Sequence, residues 1–121
     1  QASYDIGYQV ITMDEYKDWG HEKCAKMILD RLGDNPIYVT FDLDCLDSTV
    51  APGTANLEPA FRGFNIDEAR KLIQCLKGKN VIGGDVACLM PTKDSPNNIT
   101  SMVAASIMFE IICLISIYRN K

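Results

Sequence analysis

The chain has 121 residues, of which 47% are hydrophobic and 23% are charged, and its formal net charge at pH 7 is −4. These values are typical of a soluble globular protein and exclude a disordered or fibrous chain. Because no basic run compensates the negative charge, neither nucleic acid nor an anionic membrane is expected as a partner. We expect a single domain over residues 1–121.

The cysteine pattern bears on the cellular compartment. The chain contains five cysteines and one histidine, and no two cysteines form a C-x-x-C pair. This pattern argues against a structural zinc site and favours reduced thiols. The first residues also lack the basic start and apolar run of a signal peptide. We therefore expect a cytoplasmic or mitochondrial protein that is not secreted.

The first half of the chain has three predicted elements. Residues 7–12 contain β-branched and aromatic residues and predict a short strand. Residues 20–32 have apolar residues at helical spacing and predict a helix that ends at Gly33. Residues 37–41 (IYVTF) form a continuous apolar and β-branched run. That run predicts a strand buried on both faces, as in a parallel sheet.

A long irregular stretch follows at residues 45–64, and loops of this length are uncommon unless they are functional. Residues 65–76 then predict a helix, with Asn65 as its N-cap and Glu68 completing a capping box. Residues 80–86 predict the next strand. The alternation of strands and helices indicates an α/β fold with a mainly parallel sheet, in which ligands bind beyond the carboxyl ends of the strands.

The last predicted helix begins near Asn97 or Asn98, either of which can cap it, and it ends near Tyr118. Residues 102–118 are largely apolar, but Glu110 interrupts them and the segment is shorter than the roughly 20 residues that span a bilayer. We therefore predict a buried helix rather than a membrane span.

Two aspartates at the end of the central strand are the strongest candidates for chemistry. Asp42 and Asp44 are two residues apart, so in a strand both side chains project to one face. Two ionised carboxylates held together repel each other unless a cation lies between them. The alternative is that they cap the following turn, as Asp often does. We favour a metal site, with Asp47 either supporting it by a hydrogen bond or serving as a turn residue.

Asp85 is the second acidic candidate, because it follows Gly83 and Gly84 near the end of the next predicted strand. It either supports the metal site through hydrogen bonds or bonds to a nearby loop.

The segment VTFDLDCLDSTVAPGT at residues 39–54 closely resembles the signature of the arginase–agmatinase (ureohydrolase) family. Glu58 with Pro59, the helix at residues 65–76, the segment VIGGDV at residues 81–86 and the apolar final helix continue the resemblance. The sequence of the loop is more similar to agmatinases than to arginases. The resemblance covers essentially the whole chain and implies the carboxyl-terminal part of such a protein.

The resemblance implies a three-layer α/β/α fold and the hydrolysis of a guanidino compound, agmatine-like, to urea and an amine. It also implies two manganese ions, with Asp42 and Asp44 among their ligands, and assembly as a trimer or hexamer. Cys88 stands where the family usually has an acidic residue that holds the guanidinium group. Cys88 and Glu58 are therefore the candidates for the substrate pocket.

Two other interpretations stay open. The family's histidine motifs of the Gly-Gly-Asp-His and His-x-Asp-x-His kinds do not occur in these residues. That fits a catalytically inactive or truncated relative. The letters FDLD at residues 41–44 are also similar to the start of haloacid-dehalogenase-type phosphatases. Those enzymes follow the second Asp with Gly-Thr, whereas Cys45 and Leu46 follow here, so we rank this interpretation below the others.

Overall fold

A computed structural model describes residues 2–57 and 62–120 of the chain. The helices are α1 (Ala2–Asp5), α2 (Met13–Trp19), α3 (His21–Leu32), α4 (Ile66–Gln74) and α5 (Ile99–Arg119). The strands are β1 (Ile37–Asp42) and β2 (Val81–Ala87), and single turns of 3-10 helix lie at Leu43–Cys45 and Pro91–Lys93.

The two strands pair in parallel, so their carboxyl ends meet at one edge of the sheet. Thr40 lies opposite Asp85, and Asp42 lies opposite Ala87. Gly84 on β2 faces α5, where a Cβ atom would lie 2.5 Å from the Val39 carbonyl oxygen and 2.8 Å from the Ile111 side chain. Glycine at this position therefore allows β2 to pack directly beneath α5.

The core lies between the sheet and the helices that cover one of its faces. Helix α5 packs on β2, and α4 packs on α5. The side chain of Leu43, just after β1, is fully buried, and Ile111 of α5 is 1% exposed. The remaining buried members of this core are Ile37, Leu46, Ala51, Ala69, Ile73, Leu76, Val81, Val103, Ala104, Ile107 and Leu114.

Helix α4 begins as the sequence predicts. The Asn65 side chain accepts a hydrogen bond from the Glu68 backbone N–H at 2.9 Å, and the Glu68 carboxylate accepts one from the Asn65 N–H at 3.0 Å. This reciprocal pair satisfies two of the donors that a helix start leaves without partners.

Helix α5 begins differently from the prediction. Asn98 is the N-cap residue, but its backbone is left-handed and its side chain makes no capping bond. Instead the Asp94 carboxylate accepts hydrogen bonds from the backbone N–H groups of Thr100 at 3.0 Å and Ser101 at 2.9 Å. Partial burial raises the pKa of Asp94, but these bonds outweigh it and hold the pKa well below its ordinary value.

By length and composition alone, α5 could cross a membrane. In the folded chain one face of it packs on β2 and α4, as predicted for a core helix. The opposite face carries exposed apolar side chains, among them Met102, Phe109 and Ile112. The prediction of a fully buried helix therefore holds for one face only.

Two further predictions are wrong. Residues 8–12 are irregular rather than a strand, with Tyr8 65% exposed, and no strand in the described part of the chain pairs with them. Strand propensity without a pairing partner does not make a strand. Strand β1 is covered on one face only, because Tyr38 is 61% exposed and Thr40 and Asp42 lie on the same open face.

Candidate metal centre

The carboxyl end of β1 turns sharply at the two aspartates. The strand ends at Asp42, and Leu43–Cys45 is a 3-10 turn rather than more strand. The Asp42 carboxylate accepts a hydrogen bond from the Asp44 backbone N–H at 2.9 Å, while the Leu43 side chain anchors the turn in the core. The strand alternation used to predict a shared face is therefore wrong for Asp44, and the capping interpretation holds for Asp42.

The turn still brings the two carboxylates together, and it adds a thiol. Asp42, Asp44 and Cys88 each offer one ligand atom, and these three atoms all lie within 4.8 Å of one another. Cys88 comes directly after β2, so the parallel pairing of the strands places it beside the end of β1. The family resemblance had made Cys88 a candidate for the substrate pocket. Its position directly after a neighbouring parallel strand was the signal that it would lie near Asp42 and Asp44.

The loop after the aspartates holds Cys88 in place. The Ala55 N–H donates to the Cys88 carbonyl oxygen at 2.9 Å, and the Met90 N–H donates to the Gly53 carbonyl oxygen at 2.8 Å. Cys88 itself has a left-handed backbone with φ of 68°. A non-glycine residue in this region is uncommon, so the two loop bonds fix an otherwise unfavourable conformation.

The electrostatics of the cluster follow from its anionic oxygens. A hydrogen bond to Asp42, together with burial and the nearby charges, raises the pKa of the Cys88 thiol. Burial, with the charge of Asp42 adding to it, raises the pKa of the adjacent Cys45 to about 12. Both thiols are therefore neutral at physiological pH as long as no cation is present.

One carboxylate oxygen of Asp44 has no hydrogen-bond partner among the described residues. The Oδ1 atom of Asp44 is buried and, in the part of the chain that is described, accepts no hydrogen bond. Leaving a buried acceptor unsatisfied is costly, and charged acceptors are usually paired or bound to a metal. Together with the oxygen and sulfur donors, this atom fits a divalent cation.

Asp47 forms its hydrogen bonds within its own turn. Its carboxylate accepts from the Thr49 N–H at 2.9 Å and from the Thr49 hydroxyl at 2.5 Å, and these bonds lower its pKa. Its geometry matches the turn interpretation, and a supporting role at the metal stays a prediction.

Asp85 bonds across the sheet rather than to a loop. Its two carboxylate oxygens accept hydrogen bonds from the Tyr38 hydroxyl at 2.9 Å and the Thr40 hydroxyl at 2.6 Å. The bond to Asp85 also raises the pKa of Tyr38. Thr40 lies two residues before Asp42 on the same face of β1. Its hydrogen bond to Asp85 therefore helps to fix the position of the strand end that carries Asp42.

Of the remaining candidates, Glu58 lies outside the described residues. A groove beside Asp44 is lined by Cys45 and by residues 11–14 and 62–64. An ion pair between Arg62 and Asp14 joins its two sides. The sequence did not predict this groove, because residues 11 and 12 were assigned to a strand and residues 62–64 to the long irregular stretch.

Comparison with known proteins gives a consistent result. The model of the Arginase family matches residues 1–114 of the chain. An agmatinase from Photorhabdus laumondii is 36% identical over 110 residues, which cover 91% of this chain and 35% of that relative. The family match favours the ureohydrolase interpretation over the phosphatase one.

Solved structures agree with the fold. The proclavaminate amidino hydrolase from Streptomyces clavuligerus superposes with a TM-score of 0.89 at 30% identity, covering 98% of this chain and 40% of that one. A hypothetical agmatinase from Burkholderia thailandensis superposes with a TM-score of 0.80 at 33% identity, covering 89% and 33%. The predicted α/β class with a parallel sheet is confirmed, and the chain spans about a third of the length of its curated relatives.

Proposed function

The chain belongs to the arginase family, and on that premise we propose that it supplies the carboxylate side of a metal centre that hydrolyses a guanidino compound to urea and an amine. The observation that carries the proposal is the convergence of Asp42 and Asp44, with a buried oxygen of Asp44 left without a hydrogen-bond partner.

Manganese is the metal that the family resemblance implies, and carboxylate oxygens suit it. When bound, such an ion acts as a Lewis acid and makes a water molecule a stronger nucleophile at neutral pH. Asp42 and Asp44 would hold it. Manganese prefers an octahedral set of oxygen ligands, so three donors do not complete one ion's coordination, still less that of two. The proposal therefore requires donors beyond the described residues.

Each aspartate has a distinct part in this arrangement. The Asp44 N–H holds one oxygen of Asp42 and thereby fixes the orientation of that carboxylate. Asp44 presents its unpartnered oxygen. Asp85, through Thr40, braces β1 just before Asp42. These contacts hold the carboxylate of Asp42 in a defined orientation, which favours affinity.

An agmatine-like guanidino compound is the proposed substrate, supported by relatives that carry the name agmatinase. A guanidinium group is best held by a carboxylate in a bidentate pair, which a thiol cannot provide. Cys88 therefore weakens the expected charged contact. Glu58 is the remaining acidic candidate for the pocket.

A catalytically inactive or truncated relative is the second candidate. Two observations favour it: only three donors converge within the described residues, and one of them is the thiol of Cys88. The two candidates differ in turnover rather than in fold, so an activity measurement separates them.

Assembly as a homo-oligomer, a trimer or hexamer, forms part of the proposal. The exposed apolar side chains of α5, Met102, Phe109 and Ile112, recur at helical spacing, and such patches often mark interaction surfaces. Sedimentation of the chain and of a Phe109→Ser variant would test this. A wild-type chain that stays monomeric at high concentration contradicts it.

The test of function combines binding with turnover. Calorimetric titration with Mn²⁺ should show binding to the wild type and loss of it in Asp42→Asn/Asp44→Asn. The control Asp18→Asn/Asp34→Asn removes the same charge from exposed positions. Urea release is then measured with agmatine, arginine and guanidinobutyrate. Metal binding without urea release selects the inactive or truncated relative, and equal binding by the site variant and the control rejects the site.

A further inference from the structure

We propose that Cys88 is itself a ligand of the divalent ion held by Asp42 and Asp44, and that its sulfur shifts the preference of the site from manganese towards zinc and cobalt. This inference rests on the proposed function only in taking the two aspartates as metal ligands. It gives Cys88 a place at the metal rather than at the substrate.

The geometry of the three donors carries the first step. Their ligand atoms all lie within 4.8 Å of one another. Zinc binds sulfur at about 2.3 Å and carboxylate oxygen at about 2.0–2.2 Å in tetrahedral geometry, so two donors on one ion are separated by roughly 3.3–3.7 Å. Closing the cluster from its upper limit of 4.8 Å therefore needs a movement of about 1 Å, which lies within the range of side-chain rotation.

The backbone of Cys88 supports the second step. Cys88 is one of two non-glycine residues with positive φ in the described part of the chain, and Asn98 is the other. Hydrogen bonds between residues 88–90 and the loop at residues 53–55 hold this conformation. Backbone strain that the surroundings enforce tends to occur at functional sites. In this conformation the thiol lies in one cluster with the carboxylates of Asp42 and Asp44.

The unpartnered oxygen of Asp44 supplies independent support. Its Oδ1 atom is buried and has no hydrogen-bond partner among the described residues, and Asp44 belongs to the same cluster as the thiol. A cation held by Asp44 would offer this acceptor a partner and relieve the repulsion between the carboxylates.

The chemistry of the donors determines which ion is favoured. Binding replaces the S–H bond of Cys88 by a sulfur–metal bond and releases the proton to solvent, as thiolate ligation requires. Soft thiolate donors favour zinc, whereas manganese prefers sites built of oxygen donors. Most protein sites bind zinc more tightly than manganese whatever their donors. The informative measurement is therefore the change in the ratio of zinc to manganese affinity when the sulfur is removed.

The experiment uses Co²⁺ as a spectroscopic probe and Zn²⁺ and Mn²⁺ in calorimetric titrations. The full 121-residue chain is compared with Cys88→Ser, Cys88→Asp and the control Cys113→Ser, whose cysteine lies on α5. Circular dichroism first establishes that each variant is folded. The aspartate variant restores an oxygen ligand and tolerates a left-handed backbone.

We expect Co²⁺ to give a near-ultraviolet thiolate charge-transfer band in the wild type and in Cys113→Ser, and none in the two Cys88 variants. Zn²⁺ affinity should fall at least about tenfold in Cys88→Ser. Loss of a residue that only hydrogen-bonds to a metal ligand already costs about tenfold or more, so loss of a ligand itself should cost no less. The ratio of Mn²⁺ to Zn²⁺ affinity should rise in Cys88→Asp.

Two outcomes overturn the inference. If the band is absent from the wild type while Mn²⁺ still binds through Asp42 and Asp44, Cys88 is not a ligand and the proposed function stands. Unchanged Zn²⁺ affinity in Cys88→Ser leads to the same conclusion. If none of the three ions binds the folded wild type, the metal site fails, and the inference and that part of the proposed function fail together.

Discussion

The Asp42 carboxylate accepts a hydrogen bond from the backbone N–H of Asp44 at 2.9 Å. One aspartate therefore shapes the turn that carries the other, and the two candidate ligands are not equivalent. Asp42, a candidate ligand, also makes a structural bond in the turn, whereas the Oδ1 atom of Asp44 has no partner within the described residues. Their substitutions should consequently separate stability from metal affinity.

With metal chelated, we expect Asp44→Asn to be at least as stable as the wild type, because it removes a buried charge that repels Asp42. Asp42→Ala should lose about 1 kcal/mol, because it removes a hydrogen-bond acceptor from the turn. Both variants should lose the stabilisation that Mn²⁺ gives the wild type through preferential binding to the folded state. Urea denaturation with and without Mn²⁺ measures all three effects. Equal metal stabilisation in Asp44→Asn would contradict the role of that residue.

Leu43→Ala tests how the turn is anchored. Leu43 lies between the two aspartates and is 0% exposed, so truncation should cost roughly 2–5 kcal/mol. Metal affinity should fall as well, because the turn would no longer be fixed against the core. The matched control is Leu57→Ala, whose side chain is 56% exposed and whose loss should change stability by less than about 0.5 kcal/mol. Equal free energies of unfolding for the two variants would show that Leu43 does not anchor the turn.

Asn65→Ala should lower the free energy of unfolding by about 1 kcal/mol, because it removes the side chain that accepts the Glu68 N–H. Asn65→Asp is the control and should stay close to the wild type, since aspartate caps a helix start equally well. Urea denaturation followed by circular dichroism measures both changes. An alanine variant as stable as the aspartate variant would exclude a contribution from the capping box.

The sequence predicted those parts of the fold that depend on local signals. The capping box at Asn65 and the two parallel strands were predicted correctly, because helix caps and apolar runs are signals carried by a few neighbouring residues. The segment at residues 8–12 was predicted wrongly, because strand propensity cannot show whether a pairing strand lies nearby.

The site was predictable in composition but not in geometry. The spacing of Asp42 and Asp44 identified the pair, although a 3-10 turn rather than strand alternation brings them together. The position of Cys88 in the cluster depends on the pairing of β1 with β2, which is a contact between distant parts of the chain. The capping of α5 by Asp94 was missed because it spans six residues and bypasses Asn98, the residue with the expected cap chemistry.

Asp94 gives the fold a defined response to acid. Its pKa is held well below the ordinary value because backbone N–H groups at the start of α5 bond its carboxylate. A depressed pKa contributes stability that is fully present above the unfolded-state value of about 3.9 and is lost as pH falls towards the folded-state value. We therefore expect the wild type to lose more stability than Asp94→Asn between pH 5 and pH 3, and to be the more stable of the two at pH 7. Urea midpoints across this range measure the difference, with Asp18→Asn as the control at an exposed position. Parallel pH profiles for the wild type and Asp94→Asn would show that the carboxylate does not stabilise the start of α5.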